Sequence, residues 1–405
     1  MCGICGILQP EGDRTERMRL VRRMSAALRH RGPDDSGEYG DETVSLGFRR
    51  LAVIDLVTGN QPIRLEDERA AIVLNGEIYN FRELRRELEG RQRFHTQGDV
   101  EVALRMYAAH GVAGLARLNG MFALAIWDRE RRTLVLARDR FGIKPLFVYR
   151  EPGRLAFASE LSALLAAGLP PERELDRLEL RHFLSQKYTS PAGTILRGVR
   201  SIEPATVLEI GPGGERVWRY WEPESLPAPR LDEDEAAEAL EHALGDAVRR
   251  QLVADVPVGL FLSGGVDSSS LAALVARQGA GPLDSFSVGF EGAEAASELG
   301  AARRVAERLG TRHQEILLGP RRVRDDLERI LARLDGALGD ATCIPTWYMS
   351  ALARGTVTVA LSGEGADEIF GGYARQRYDA WLDRLGPGAR RWLPLALRAA
   401  GRPPS

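Results

Sequence analysis

Between Thr15 and Arg29 apolar positions recur every three or four residues, with Met18, Val21, Met24 and Leu28 on one face, which predicts an amphipathic helix. The polar run Arg29–Asp34 ends it. Alternating positions then predict short strands at Thr43–Phe48, Leu51–Asp55 and Ala70–Leu74. Asn80 and Asp99 are favoured N-cap residues and predict helices running to Leu88 and Ala109. Met121–Trp127 and Thr133–Ala137 read as a hairpin around Asp128–Arg132. Strand pieces up to Val148 and over Leu155–Ala158, with helices at Ser159–Ala167 and Asp176–Ser185, complete a strand-rich half of the α+β kind.

The texture then changes. Gly211-Pro212-Gly213-Gly214 and the prolines 223, 227 and 229 predict a linker over 211–231. Asp232 opens an acidic-started helix to about Leu252. Apolar runs at Val256–Leu262, Ser285–Phe290, His313–Leu318 and Thr356–Leu361 alternate with helices at Ser268–Gln278, Glu294–Leu309 and Arg321–Leu334. That rhythm predicts βαβ units on a parallel sheet, an α/β domain. Two domains, 2–210 and 232–405, suit the 405 residues.

Composition excludes several classes. An apolar fraction of 44% and a charged fraction of 28% belong to a globular chain. A net charge of −2 supplies no field for nucleic acid or an anionic membrane. No apolar run is of membrane-spanning length, and no basic-then-apolar leader opens the chain, so a cytoplasmic location is expected. Whether two copies pair as a homodimer stays open. Lys144 and Lys187 are the only lysines, and three cysteines do not make a disulfide framework.

Chemistry concentrates first at the N-terminus. Once Met1 is trimmed, Cys2 carries its thiol beside a free α-amine that can serve as its base. Cys2-Gly3-Ile4-Cys5 also has a zinc or redox spacing, but zinc needs a second ligand pair and His30 and His95 are scattered. Cys5 reads as a packing residue. Asn75-Gly76 after a strand reads as a hairpin-type turn, or as the carboxamide and amide of an oxyanion hole. Arg50 suits a fork to a carboxylate, and Glu77 with Asp99 suit an ammonium group.

In order, Cys2-Gly3-Ile4, Arg29-His30-Arg31-Gly32-Pro33-Asp34, Asn75-Gly76-Glu77-Ile78-Tyr79-Asn80, Leu118-Asn119-Gly120-Met121-Phe122-Ala123 and Arg138 through Leu146 resemble the class II glutamine amidotransferases. The resemblance covers residues 2 to about 190. It implies the N-terminal-nucleophile αββα fold and hydrolysis of glutamine to glutamate and ammonia. It makes Cys2 the nucleophile and Asn75 and Gly76 the oxyanion hole. Arg50 would hold the substrate carboxylate, Leu51, Val53 and Ile54 would line the pocket, and Glu77 and Asp99 would take the α-amino group.

A second constellation follows the strand Val256–Leu262. Ser263-Gly264-Gly265-Val266-Asp267-Ser268-Ser269 runs into a helix, where glycines admit an anion and free amides meet it. No Walker-type loop occurs. The loop resembles that of the ATP pyrophosphatases, and with the first half it resembles the glutamine-hydrolysing asparagine synthetase family. That resemblance implies aspartate, ATP and Mg²⁺ as reactants, β-aspartyl-AMP as intermediate, and ammonia passing internally between sites. Phe261, Ser263, Gly264, Gly265, Asp267, Ser268, Val288, Ser362 and Gly363 would contact ATP, Glu364 would lie at the acyl-adenylate, and Asp267 and Asp367 would hold the metal. The family's phosphate-meeting lysine has no counterpart after Lys187, and Ala341–Pro345 lacks an arginine that some members carry. The synthetase half is therefore expected to be incomplete at its C-terminus, leaving glutamine hydrolysis with little or no asparagine formed. Amidation of another acceptor, or a non-catalytic partner chain, are the competing readings.

Overall fold

The computed structural model describes residues 1–223, 231–279, 281–292, 297–373 and 376. Its contacts divide into two compact units. The first joins Met1–Val258 to Leu318–Val359, and the second joins Gly259–Leu317 to Ala360–Ser405.

Two six-stranded sheets form the heart of the first unit. One runs β10-β8-β9-β1-β3-β2 and contains β1 (Gly3–Leu8), β2 (Asp35–Gly40), β3 (Val44–Arg50), β8 (Phe147–Glu151), β9 (Arg154–Ala158) and β10 (Val199–Ser201). The other runs β12-β11-β7-β6-β5-β4 and contains β4 (Ile63–Arg64), β5 (Ala70–Ile78), β6 (Gly120–Asp128), β7 (Thr133–Arg138), β11 (Thr206–Gly211) and β12 (Gly214–Arg219). Side chains alternate across a strand, and here both faces are buried. In β1, Ile4 and Leu8 enter the core between the sheets, while Cys5 and Ile7 pack with Val21, Met24 and Leu164 of two outer helices. In β5, Val73 faces the inter-sheet core, while Ile72, Leu74 and Ile78 meet the helices Phe81–Leu88 and Asp99–His110. The layers are therefore helix, sheet, sheet, helix, the expected αββα order. Trp127 is fully buried between the sheets and donates to Asp41 at 2.6 Å, so truncating it to Ala is expected to cost about 3–5 kcal/mol.

The parity of β5 matters for the chemistry. Asn75 and Glu77 follow Val73 at steps of two, so they lie on the face that looks at the first sheet. Cys2 packs against that same inter-sheet core from the start of β1.

The second unit holds a smaller sheet ordered β15-β14-β13-β16, with β13 (Val258–Phe261), β14 (Asp284–Phe290), β15 (Arg312–Leu318) and β16 (Val359–Leu361). β13 and β14 pair in parallel. Leu260, Leu262, Ala272, Ala302 and Ala306 form its core.

Several expectations need correction. Leu51–Asp55 is not a strand: its carbonyls turn toward the Arg50 guanidinium instead of entering a ladder. The stretch from 211, expected as linker, closes the β11–β12 hairpin, because Gly214 adopts φ +97° at the turn. Residues 224–230 of that linker, and the expected helix start at Glu294, lie outside the described residues. Asn80 precedes its helix but does not cap it; its side chain accepts from Asn119 N–H and donates to the Arg117 carbonyl. The helix Cys343–Ala353 was not expected, since Pro345 interrupts its pattern, and proline is tolerated there within the first turn. Among the described residues no helix is long and apolar enough to cross a membrane.

Candidate active site

A narrow pocket opens beside Cys2. Its walls are Cys2, Arg50, Leu51, Val53, Ile54, Gly76, Glu77 and Asp99, all expected, together with Gly59, Gln61, Ile63, Gly98 and Val100. These come from the residue before β1, the end of β3, the irregular 51–61 loop, β4, the end of β5 and the start of the helix Asp99–His110. Residues almost a hundred positions apart thus share one cavity.

Each wall has a local reason. Arg50 is 5% exposed, and its guanidinium donates to the carbonyls of Ile54, Asp55 and Leu56, which fixes its direction. Gly76 has φ +148°, and a Cβ there would lie 1.9 Å from the Met121 carbonyl oxygen, so only glycine fits. Asp99 accepts from Ile78 N–H at 2.7 Å, tying the helix start to the end of β5. Asn75 is fully buried, and neither its carboxamide nitrogen nor its oxygen has a partner. Asn75 is not itself one of the pocket walls but precedes the wall residue Gly76, and since buried polar groups are almost always paired, an orphan carboxamide there marks a place for a ligand.

The electrostatics are unusual. Burial pushes the Cys2 thiol above its ordinary value, while its sulfur lies 3.6 Å from the Leu51 carbonyl. The α-amine of Met1 is held down to about 5, by burial first and then by Arg31 and Lys144. Met1 itself is 57% exposed, with its sulfur 3.2 Å from Lys144 Nζ. Glu77 is raised well above the usual carboxylate range by burial and then by Asp99; burial lifts Asp99 to about 6. Two carboxyls held above their normal range would return to the ionised form around a bound cation.

In the second unit, the 263–269 loop folds on itself. Ser263 Oγ and Ser268 Oγ are 2.9 Å apart, and Gly265 N–H donates to Ser263 Oγ at 3.2 Å. Gly264 has φ +80°, and a Cβ would lie 2.5 Å from the Ala302 backbone nitrogen. Gly265 stands at the N-cap of the helix Val266–Arg277 without a capping side chain. Asp267 lies in the first turn, and a Cβ on Gly363 would approach its Cβ to 3.4 Å, so the loop after β16 comes alongside. Phe261 ends β13, Val288 lies in β14, and Ser362 and Glu364 flank Gly363. Asp367 sits in the helix Ala366–Phe370. Among the described residues no three acids, histidines or cysteines converge on a metal position. Asp267 and Asp367 are carboxylates of the kind Mg²⁺ takes, and it completes its shell with phosphates and water.

Sequence reasoning gave no role to Arg31, His30, Glu160, Gln61 or Asp55. Arg31 Nε donates to the Cys2 carbonyl at 2.8 Å, and Glu160 receives both His30 and Arg31 at 2.9 Å. Gln61 brackets the peptide before Asn75, accepting from Leu74 N–H at 2.6 Å and donating to its carbonyl at 3.2 Å. Arg31 lay inside a quoted motif; nothing in spacing connected it to Glu160.

Residues 1–221 match the glutamine amidotransferase domain family, and residues 239–403 match the asparagine synthase family. Asparagine synthetase [glutamine-hydrolyzing] 1 of Bacillus subtilis is 38% identical over 97% of this chain and 62% of its own. A putative asparagine synthetase [glutamine-hydrolyzing] 2 of Methanocaldococcus jannaschii is 33% identical over 99% of this chain and 80% of its own. Among solved structures, the glutamine phosphoribosylpyrophosphate amidotransferase of B. subtilis aligns with 78% of this chain and 65% of its own, at 19% identity and a TM-score of 0.41. The chain spans a little over three-fifths of the length of the B. subtilis synthetase. The chain belongs to the family of glutamine-hydrolysing asparagine synthetases.

Proposed function

We propose that this chain hydrolyses glutamine at Cys2 and, against the expectation of a deficient synthetase half, uses the ammonia to amidate aspartate at the expense of ATP. The observation that carries the first half is the buried, unpartnered Asn75 carboxamide beside the pocket of Cys2. With Met1 removed, the α-amine takes the thiol proton as sulfur attacks the side-chain carbonyl carbon of glutamine. Asn75 and Gly76 N–H receive the oxyanion, where a single preorganised donor is worth about 10²–10³ in rate. Collapse expels ammonia, which takes a proton from the amine, and water then frees glutamate from the thioester. Arg50 holds the α-carboxylate, and Glu77 with Asp99 hold the α-ammonium.

In the second unit the uncapped first-turn amides of the helix Val266–Arg277 suit the phosphates of ATP. The aspartate side-chain carboxylate attacks the α-phosphorus and releases pyrophosphate. Ammonia then displaces AMP from β-aspartyl-AMP, giving asparagine. Asp267 and Asp367 would hold Mg²⁺, which neutralises charge on the phosphates. Glu364 stands next to Gly363 where the acyl-adenylate would form.

Glutamate release and aspartate-dependent pyrophosphate release, measured side by side in the parent and in Cys2→Ala, test both halves. Glutamate release surviving in Cys2→Ala would remove the nucleophile. Pyrophosphate release indifferent to aspartate would replace the acceptor.

A further inference from the structure

We infer that Asp335 and Asp255, both in the part of the chain that matches the asparagine synthase family, are positioning residues for the glutamine pocket, each holding one of its walls. This rests on the glutaminase reading of the Cys2 site.

Asp335 acts through the turn Ser159–Ser162. Its two carboxylate oxygens accept from Leu161 N–H at 2.6 Å and Ser162 N–H at 2.8 Å, the open first-turn amides of the helix Leu161–Ala166. The residue at the N-cap of that helix is Glu160, yet its side chain makes no cap bond. It is directed instead at His30 and Arg31, each at 2.9 Å, and Arg31 reaches the Cys2 carbonyl. Ser159 completes the arrangement: its N–H donates to Ile4 O at 2.9 Å and its Oγ accepts from Ile4 N–H at 3.0 Å. First-turn amides need an acceptor. With Asp335 supplying it, Glu160 is released to anchor Arg31. Without Asp335, the N-cap residue Glu160, whose Oε2 already accepts from Ser162 Oγ at 3.0 Å, would take over the capping, which would draw it off Arg31 and loosen Cys2.

Asp255 acts on the opposite wall. Its N–H donates to the Val53 carbonyl at 2.8 Å, and its carboxylate accepts from Asp55 N–H at 2.7 Å. Val53 and Ile54 line the pocket, and the carbonyls of Ile54 and Asp55 hold the Arg50 guanidinium. Asp55 has φ +54° and belongs to no ladder, so such bonds set the course of this loop. Its carboxylate also accepts from Gln97 N–H at 2.8 Å, next to the pocket residue Gly98. Neither Asp255 nor Asp335 lines the pocket itself. That is why the first compact unit extends beyond the amidotransferase-matched residues.

The two walls predict two kinetic signatures in the full chain. Asp255→Ala should raise the glutamine KM by about tenfold with kcat within about twofold, because it disturbs the carboxylate-holding loop. Asp335→Ala should lower kcat by about tenfold with KM within about twofold, because it disturbs the nucleophile. Asp335→Asn keeps one acceptor oxygen and should recover part of that loss. Combining Asp335→Ala with Glu160→Gln should cost less than the sum of the two. The rate of Cys2 alkylation by iodoacetamide is read in the same proteins: it should change in Asp335→Ala and not in Asp255→Ala. Parent-like kcat, KM and alkylation in variants that melt as the parent does would overturn the inference. If an alanine variant does not fold, the Asn variants of both aspartates take its place. A parent that releases no glutamate refutes the glutaminase reading, and the alkylation rates then decide on Asp335 alone.

Discussion

The two candidate sites are built in opposite ways. The glutamine pocket is assembled from β1, β3, β5 and a helix start, and its walls rest on cores whose side chains are almost entirely buried. The nucleotide loop is made of consecutive residues at the end of one strand, above a core of five buried side chains. Val266 in it is 82% exposed. A pocket made from distant strands is shaped before any ligand arrives, so its polar groups can be left unpaired and aimed. A loop made from neighbours pairs Ser263 with Ser268 until a phosphate replaces them, and leaves Ser269 Oγ alone without a partner. Preorganisation thus belongs to the first site and adaptability to the second.

The hardest test of that contrast is Cys2→Ala. Glutamate release should fall by at least about 10³, as for loss of a covalent nucleophile, while ammonia-driven pyrophosphate release persists. Asn75→Ala should come next, with kcat lower by about 10²–10³. Its melting temperature should stay level or rise, because the change removes an unpaired buried amide. A large drop in melting temperature would show that Asn75 is structural. Gly264→Ala forces a positive φ and a 2.5 Å approach to the Ala302 backbone. It should weaken ATP binding measured by calorimetry and cost about 1–3 kcal/mol, yet spare glutaminase activity.

Legibility in the sequence follows the same divide. The nucleotide loop is a contiguous string after an apolar run, so its parts could be named in order. In the first half, alternation located β5, β6 and β7, but β2 reads Asp-Ser-Gly-Glu-Tyr-Gly and carries no apolar signal, since it is an exposed edge paired only to β3. Leu51–Asp55 alternates like a strand and is a loop, because a buried arginine claims its carbonyls. Arg50, Glu77 and Asp99 showed chemistry suited to an amino acid, but the apolar walls Leu51, Val53 and Ile54 were nameable only through a family resemblance. Glu160, which steadies Arg31 from 129 positions away, had no local pattern to betray it.

The smallest expected effect concerns pH. Asp99, lifted to about 6 by burial, must be ionised to hold an ammonium group. Below its pKa it is protonated, so the glutamine KM should rise as pH falls through about 6, by up to about tenfold per pH unit, with kcat less affected. Asp99→Asn should raise KM at neutral pH and flatten that slope. An unchanged slope would move the titration to Glu77.

Cys5 gives the molecule an unplanned gauge. Its sulfur is enclosed by the carbonyls of Val21 and Gly47, burial holds it protonated far above neutrality, and no solvent reaches it. Cys2 and Cys343 are partly accessible. A thiol reagent applied to the native chain should therefore tag two sulfurs promptly. The third tag would count each time the outer helix lifts from β1, timing the breathing of the scaffold without an added probe.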